Sequence, residues 1–139
     1  MPDIVVTDVI DSSIVKAIEG GLDDYNDVTT GISDRRSLAV VLRDPETQRV
    51  LGGAMGRSSL GLLFLDLFFL PTELRQKGLG TKILKEFENE GRRRGCRSAF
   101  LYTISFQAPD FYARNGWKRF GQIPCDPPGT FRIFMMKSL

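Results

Sequence analysis

The segment from Leu62 to Thr81 constrains the fold of this chain most. Leu62-Leu63-Phe64-Leu65-Asp66-Leu67-Phe68-Phe69-Leu70 is apolar at every position but one, the pattern of a central strand buried on both faces. It runs into Pro71-Thr72-Glu73-Leu74-Arg75-Gln76-Lys77-Gly78-Leu79-Gly80-Thr81, a basic loop with two glycines. A helix to about Arg94 follows, with Leu79, Ile83, Leu84 and Phe87 on one face. This order leaves backbone N–H groups unpaired at a helix start, with the positive end of the helix dipole behind them. The loop therefore suits a pyrophosphate. Two common phosphate loops are excluded by spacing. No Gly-x-x-x-x-Gly-Lys-Ser/Thr is present, and Gly80 is followed by Thr81, Lys82 and Ile83 rather than by a third glycine.

At 139 residues the chain reads as one domain, 1–139, large enough to bury about two-thirds of its unfolded surface. A hydrophobic fraction of 42% and a charged fraction of 26% fit a soluble globular protein. The apolar run Leu60 to Leu70 is too short to span a membrane and contains Asp66. Met1-Pro2-Asp3-Ile4 has no signal-peptide character. Cys96 and Cys125 form no disulfide framework, so reduced thiols in a cytoplasm are expected. The absence of histidine excludes Ser-His and Cys-His nucleophile pairs and nearly all zinc sites, so no metal is expected. Any general base must be a carboxylate, a tyrosine, an amine or water. A net charge of +2 does not argue for nucleic acid. The cations from Arg75 to Arg97 are either a solvated helix face or support for ligand phosphates.

Ile4, Val5 and Val6 suggest a first strand over residues 3–9. Asp11-Ser12-Ser13 caps a helix carrying Ile14, Ala17, Ile18 and Leu22, and the acidic stretch Asp23 to Gly31 reads as a loop or a short second helix. Leu38–Leu42 and Arg49–Gly56 form a hairpin across Asp44-Pro45-Glu46-Thr47. Gly91 and Gly95 sit at the end of the helix after the glycine loop, and Gly95 fits a C-cap. Arg97–Ile104 is the next strand. Ala108-Pro109 opens a short aromatic helix, and Trp117–Ile123 and Thr130–Lys137 are the last strands.

Arg75-x-x-Gly78-x-Gly80 after an apolar strand resembles the acetyl-coenzyme A signature of the GNAT acyltransferase superfamily. Phe111-Tyr112-Ala113-Arg114-Asn115-Gly116-Trp117 resembles the family's second landmark, Phe-Tyr-x-x-x-Gly followed by an aromatic. Ser105-Phe106-Gln107-Ala108-Pro109 and Pro127-Pro128-Gly129 are similar to segments of small bacterial members. The resemblance implies an α/β GNAT fold: a mixed sheet of about six to seven strands with two splayed central parallel strands, flanked by about four helices. It implies N-acetyl transfer from acetyl-coenzyme A, as co-substrate, to a primary amine of a small molecule or peptide. Small members are often homodimers.

On that resemblance, Phe69 and Leu70 pair with the pantetheine arm. Arg75, Gln76, Lys77, Gly78, Leu79, Gly80 and Thr81 hold the pyrophosphate, and Ser105 stands where many members have a coenzyme-contacting asparagine. Tyr112 is expected to protonate the departing thiolate. The second central strand carries Tyr102 where similar proteins carry aspartate. Asp66, a carboxylate in an apolar strand, is therefore the leading base, with a water relay as the alternative. The missing strand carboxylate also leaves open a non-catalytic acyl-coenzyme A-binding module. A nucleic-acid-binding protein using the Lys82 to Arg97 cations is a third reading, with no base-stacking motif behind it.

Overall fold

A helix continues through the acidic stretch after Leu22. In a computed structural model that describes residues 1–139, α1 spans Ser12–Thr30 without a break. Asp11 caps it: Oδ1 accepts from the Ile14 N–H at 3.0 Å and from the Ser13 hydroxyl at 2.7 Å. Gly31, with φ of 70°, ends it by donating its N–H to the Asp27 carbonyl at 2.9 Å. No proline or β-turn signal interrupts this run, so helix propagation carries past the loop expected there. Residues 3–9 form no strand, contrary to the sequence expectation. A strand exists only through pairing, and the apolar character of Ile4-Val5-Val6 does not supply a partner. The chain divides by its contacts into Met1–Ser33, which holds α1, and Asp34–Leu139.

The second unit is a six-stranded mixed sheet with two helices. In chain order it contains β1 Arg36–Arg43, β2 Val50–Ser59, β3 Leu62–Phe69, α2 Leu79–Arg93, β4 Ser98–Ile104, α3 Pro109–Arg114, β5 Lys118–Cys125 and β6 Thr130–Ser138. The spatial order is β1-β2-β3-β4-β6-β5. Only β3 and β4 are parallel, the pair joined through α2. The β1–β2 turn is held by Asp44, whose Oδ1 accepts from the N–H groups of Glu46 and Thr47 at 2.9 Å each. No helix is long and apolar enough to cross a membrane. The helices number three, one fewer than the sequence suggested, with a single 3-10 turn at Thr72–Leu74 besides.

Alternation along the strands builds the core. Leu63 and Leu65 of β3, Ala99 and Leu101 of β4, and Ile133 and Met135 of β6 pack with Ile83, Leu84 and Phe87 of α2. Gly91 does not end α2 but lies within its last turn, where a Cβ would stand 2.6 Å from Leu63 Cδ2 and would make that side chain shift. Gly95, with φ of 82°, supplies the left-handed residue after the helix. Glu88 is the buried exception on this face. Its Oε2 accepts from Trp117 Nε1–H at 3.1 Å, and its Oε1 accepts from Lys137 Nζ at 2.7 Å. The carboxylate thus ties α2 to β6 and to the entry of β5.

Candidate active site

The site begins where β3 and β4 stop pairing. Their register runs from Leu62↔Ser98 to Leu65↔Leu101 and goes no further. The cause on the β3 side is a bulge: Gly56 faces Leu65 and Met55 faces Leu67, so Asp66 is the extra residue. Inward alternation also changes parity across it. Leu63 and Leu65 are in the core before the bulge, and Leu70 is in the core after it, with Phe68 packed against it. On β4 the separated end is held by Gln107, whose Oε1 accepts from the Thr103 hydroxyl and the Ile104 N–H, both at 3.2 Å. The result is a cleft of about 730 Å³ that runs between the strand ends, α3 and the glycine loop.

The loop end of the cleft has the expected geometry. Gly78 caps α2 with φ of 78°, and the first helical bond runs from the Lys82 N–H to the Gly78 carbonyl at 3.2 Å. The N–H groups of Leu79, Gly80 and Thr81 precede that bond and have no intrahelical partner. A Cβ on Gly80 would meet the Phe111 ring at 3.4 Å, whereas one on Gly78 would point into open space. Arg75 bridges the loop: its Nε–H donates to the Leu70 carbonyl at 2.8 Å, and its guanidinium lies 5.9 Å from the centre of the Phe69 ring. That bond leaves the terminal guanidinium nitrogens for an anion.

Of the residues expected from sequence, Asp66, Phe69, Leu70, Arg75, Gln76, Gly78, Gly80, Thr81 and Tyr112 line this one cleft. Lys77, Leu79 and Ser105 are not among its lining residues. The Ser105 hydroxyl accepts from the Phe131 N–H at 3.0 Å, which fixes the end of β4 to β6. Leu67, Phe68, Tyr102, Thr103, Phe106, Gln107, Phe111 and Arg114 also line the cleft and were not assigned to it from sequence. For Leu67 and Phe68 strand alternation misleads, because the bulge at Asp66 resets it, whereas Phe106, Gln107, Phe111 and Arg114 lie outside the strands and reach the cleft only through the tertiary fold. The cations Arg92, Arg93 and Arg94 end α2, about 20 Å of helix away from the glycine loop. Arg93 and Arg94 pair with Glu90 at 2.8 and 2.9 Å, and Arg94 also donates to Ser58 Oγ at 3.1 Å. Arg94 holds helix to sheet, Arg92 and Arg93 pair within the helix, and all three are too distant to serve the loop.

Tyr112 is buried, 7% exposed, among Phe68, Phe111 and Trp117, with ring centres at 6.4, 5.2 and 6.0 Å. Burial pushes its phenol up to about 12. The hydroxyl therefore stays protonated throughout the neutral range, where it can donate its proton or a hydrogen bond and cannot act as a phenolate base. Asp66 is half-buried and makes no ion pair within the chain. One cleft thus offers backbone N–H donors at one end, a protonated phenol, and a carboxylate that accepts hydrogen bonds. Such a set can hold an anion, stabilise a leaving group and receive a proton.

Comparison with known proteins agrees with this geometry. The acetyltransferase (GNAT) family model matches residues 11–117. An acetyltransferase of Agrobacterium fabrum is 35% identical over 119 residues, 86% of each chain. A blasticidin-S acetyltransferase of Streptomyces morookaense is 33% identical over 95 residues, 68% of this chain and 70% of that one. A crystal structure from Agrobacterium tumefaciens, described as an acetyltransferase, superposes with a TM-score of 0.91 at 32% identity, covering 99% of this chain and 100% of that one.

Proposed function

This chain belongs to the acetyltransferase (GNAT) family, and from that premise we propose that it moves the acetyl group of acetyl-coenzyme A to a primary amine by direct attack. Its mixed six-stranded sheet and three helices are that family's fold, and it is an acyltransferase. The family match crosses both contact units, which supports reading 1–139 as one working domain. The observation that carries the reaction is the single cleft joining the glycine loop to Tyr112 and Asp66. The loop N–H groups and Arg75 hold the pyrophosphate, and the pantetheine arm lies along Phe69 and Leu70. The neutral amine nitrogen forms a bond to the thioester carbon, and the carbon–sulfur bond breaks. The amine's proton passes to Asp66 or to water, and Tyr112 donates to the leaving sulfur. The relative that acetylates blasticidin S supports a small-molecule acceptor.

Two variants test the parts separately. Gly78→Glu and Gly80→Glu put a carboxylate into the anion cradle, and the first adds backbone strain at a positive φ. Calorimetry is expected to show acetyl-coenzyme A affinity falling about tenfold or more, as loss of charge-assisted bonds predicts. Unchanged affinity in both removes the loop from the site. Asp66→Asn keeps the shape but not the basicity. Its turnover should fall about tenfold or more at neutral pH and recover as alkaline pH neutralises the amine without help. Coenzyme affinity should hold. Full turnover from about pH 6 to 9 would leave water as the base.

A further inference from the structure

A row of aromatic rings runs across the sheet face opposite α2 and leads into the cleft. On β4, Ala99, Leu101 and Thr103 are buried, which sends Phe100 and Tyr102 to the other face. On β6, Ile133 and Met135 are buried, which sends Phe134 the same way. Phe64 stacks on Phe100 with ring centres 4.6 Å apart and lies 6.3 Å from Tyr102. Tyr102 lies 5.7 Å from Phe134, and Phe134 lies 6.1 Å from Phe120. Of these five rings only Tyr102 also lines the cleft, and it is 42% exposed. Its neighbour across the gap between the strands is the region of Asp66, whose carboxylate has no ion-pair partner in the chain. An open π face and an anion in one cleft form a polar point beside an apolar platform, the general form of a small-ligand site.

We infer that Tyr102, backed by this row, is a stacking subsite selecting acceptor amines that carry a flat ring. The amino group is drawn to the Asp66 end and the ring lies on Tyr102. The Asp66 carboxylate offers the ammonium group a local counter-ion in a cleft that Arg75 and Arg114 also line, while stacking gives the preference among amines. The backing rings Phe64 and Phe134 hold Tyr102 in place, so the platform exists before a ligand arrives. The subsite rests on the acetyl-transfer reading for its consequence in turnover, though not for binding itself.

The test uses tryptamine and hexylamine, both primary amines, against the intact protein loaded with acetyl-coenzyme A. Ligand-observed NMR reads binding and thiol release reads transfer. Wild type is expected to prefer tryptamine, and Tyr102→Ala should lower the tryptamine-to-hexylamine ratio about tenfold, in the range that stacking supplies. Tyr102→Phe should keep the ratio. Phe120→Ala, at an exposed ring two steps from the cleft, should change it less. Equal binding of the two amines by wild type, or a ratio in Tyr102→Ala within about twofold of wild type, overturns the subsite. If tryptamine binds in a Tyr102-dependent way with no thiol release, the subsite stands and the transfer reading falls. If thiol is released with no preference for the ring, the reverse holds.

Discussion

Tyr112→Phe is expected to lower turnover about 100-fold while leaving acetyl-coenzyme A affinity nearly unchanged, the scale seen when one aimed donor is removed from a developing negative charge. The ring would keep its packing against Phe68, Phe111 and Trp117, so only the proton is lost. Burial holds the phenol at about 12. A thiol ordinarily titrates near 8.5, so complete proton transfer from such a phenol to a thiolate is uphill by roughly 3.5 pK units. The role that fits is a hydrogen bond to sulfur as charge builds there, with solvent completing the protonation. No alkaline limb from Tyr112 should then appear in turnover below about pH 10. A loss smaller than about threefold, measured with an accepted amine, would reduce Tyr112 to packing.

The same burial sets an alkaline limit on stability. Between about pH 10 and 12 the unfolded chain releases the phenolic proton while the folded chain keeps it. The unfolded state then binds fewer protons, so stability falls as pH rises through this window, by about 2 to 3 kcal/mol in total. Below pH 10 the group contributes no slope. Tyr112→Phe should lack this decline, and urea melts at several alkaline pH values read the difference. Parallel curves for the two proteins would contradict the burial.

Glu88→Ala is expected to cost about 3 to 5 kcal/mol of folding stability, the range for breaking a buried charge pair from one side. Lys137 would lose its 2.7 Å partner and keep only the Asn115 carbonyl at 2.9 Å, and Trp117 Nε1–H would lose its acceptor. Glu88→Gln keeps one acceptor oxygen for the indole and should cost less. Urea unfolding measures both. A loss under about 1 kcal/mol in Glu88→Ala would show that water or a neighbouring group replaces the carboxylate. Arg92, 3.8 Å away and partly exposed, adds little to this balance.

Glu88 also marks what a sequence conceals. It sits in a charge-rich run, Lys85 to Arg94, that reads as a solvated helix face. Helical spacing puts it one turn after Leu84 on the buried face, but only the tertiary fold brings Trp117 and Lys137 there to meet it. For Arg94 the open choice was likewise resolved by tertiary contacts, since it donates to Ser58 Oγ and to the Arg36 carbonyl at the far end of the helix from the loop. Ser105, given a coenzyme role by resemblance, accepts from the Phe131 N–H of a strand 26 residues on and keeps its O–H as a donor.

By itself the sequence determined the strand, glycine loop and helix order, the C-cap at Gly95, the proline-started α3 and the Asp44 turn. Each follows from steric, capping or periodic rules that act within a few residues. The absence of histidine likewise narrowed the chemistry before any fold was known. Tertiary structure alone decided that residues 3–9 stay unpaired as a strand, where β3 and β4 part, and which face Tyr102 presents. Those outcomes depend on register between strands distant in sequence. A single bulged residue, Asp66, reverses the alternation from which a side chain's face would be read.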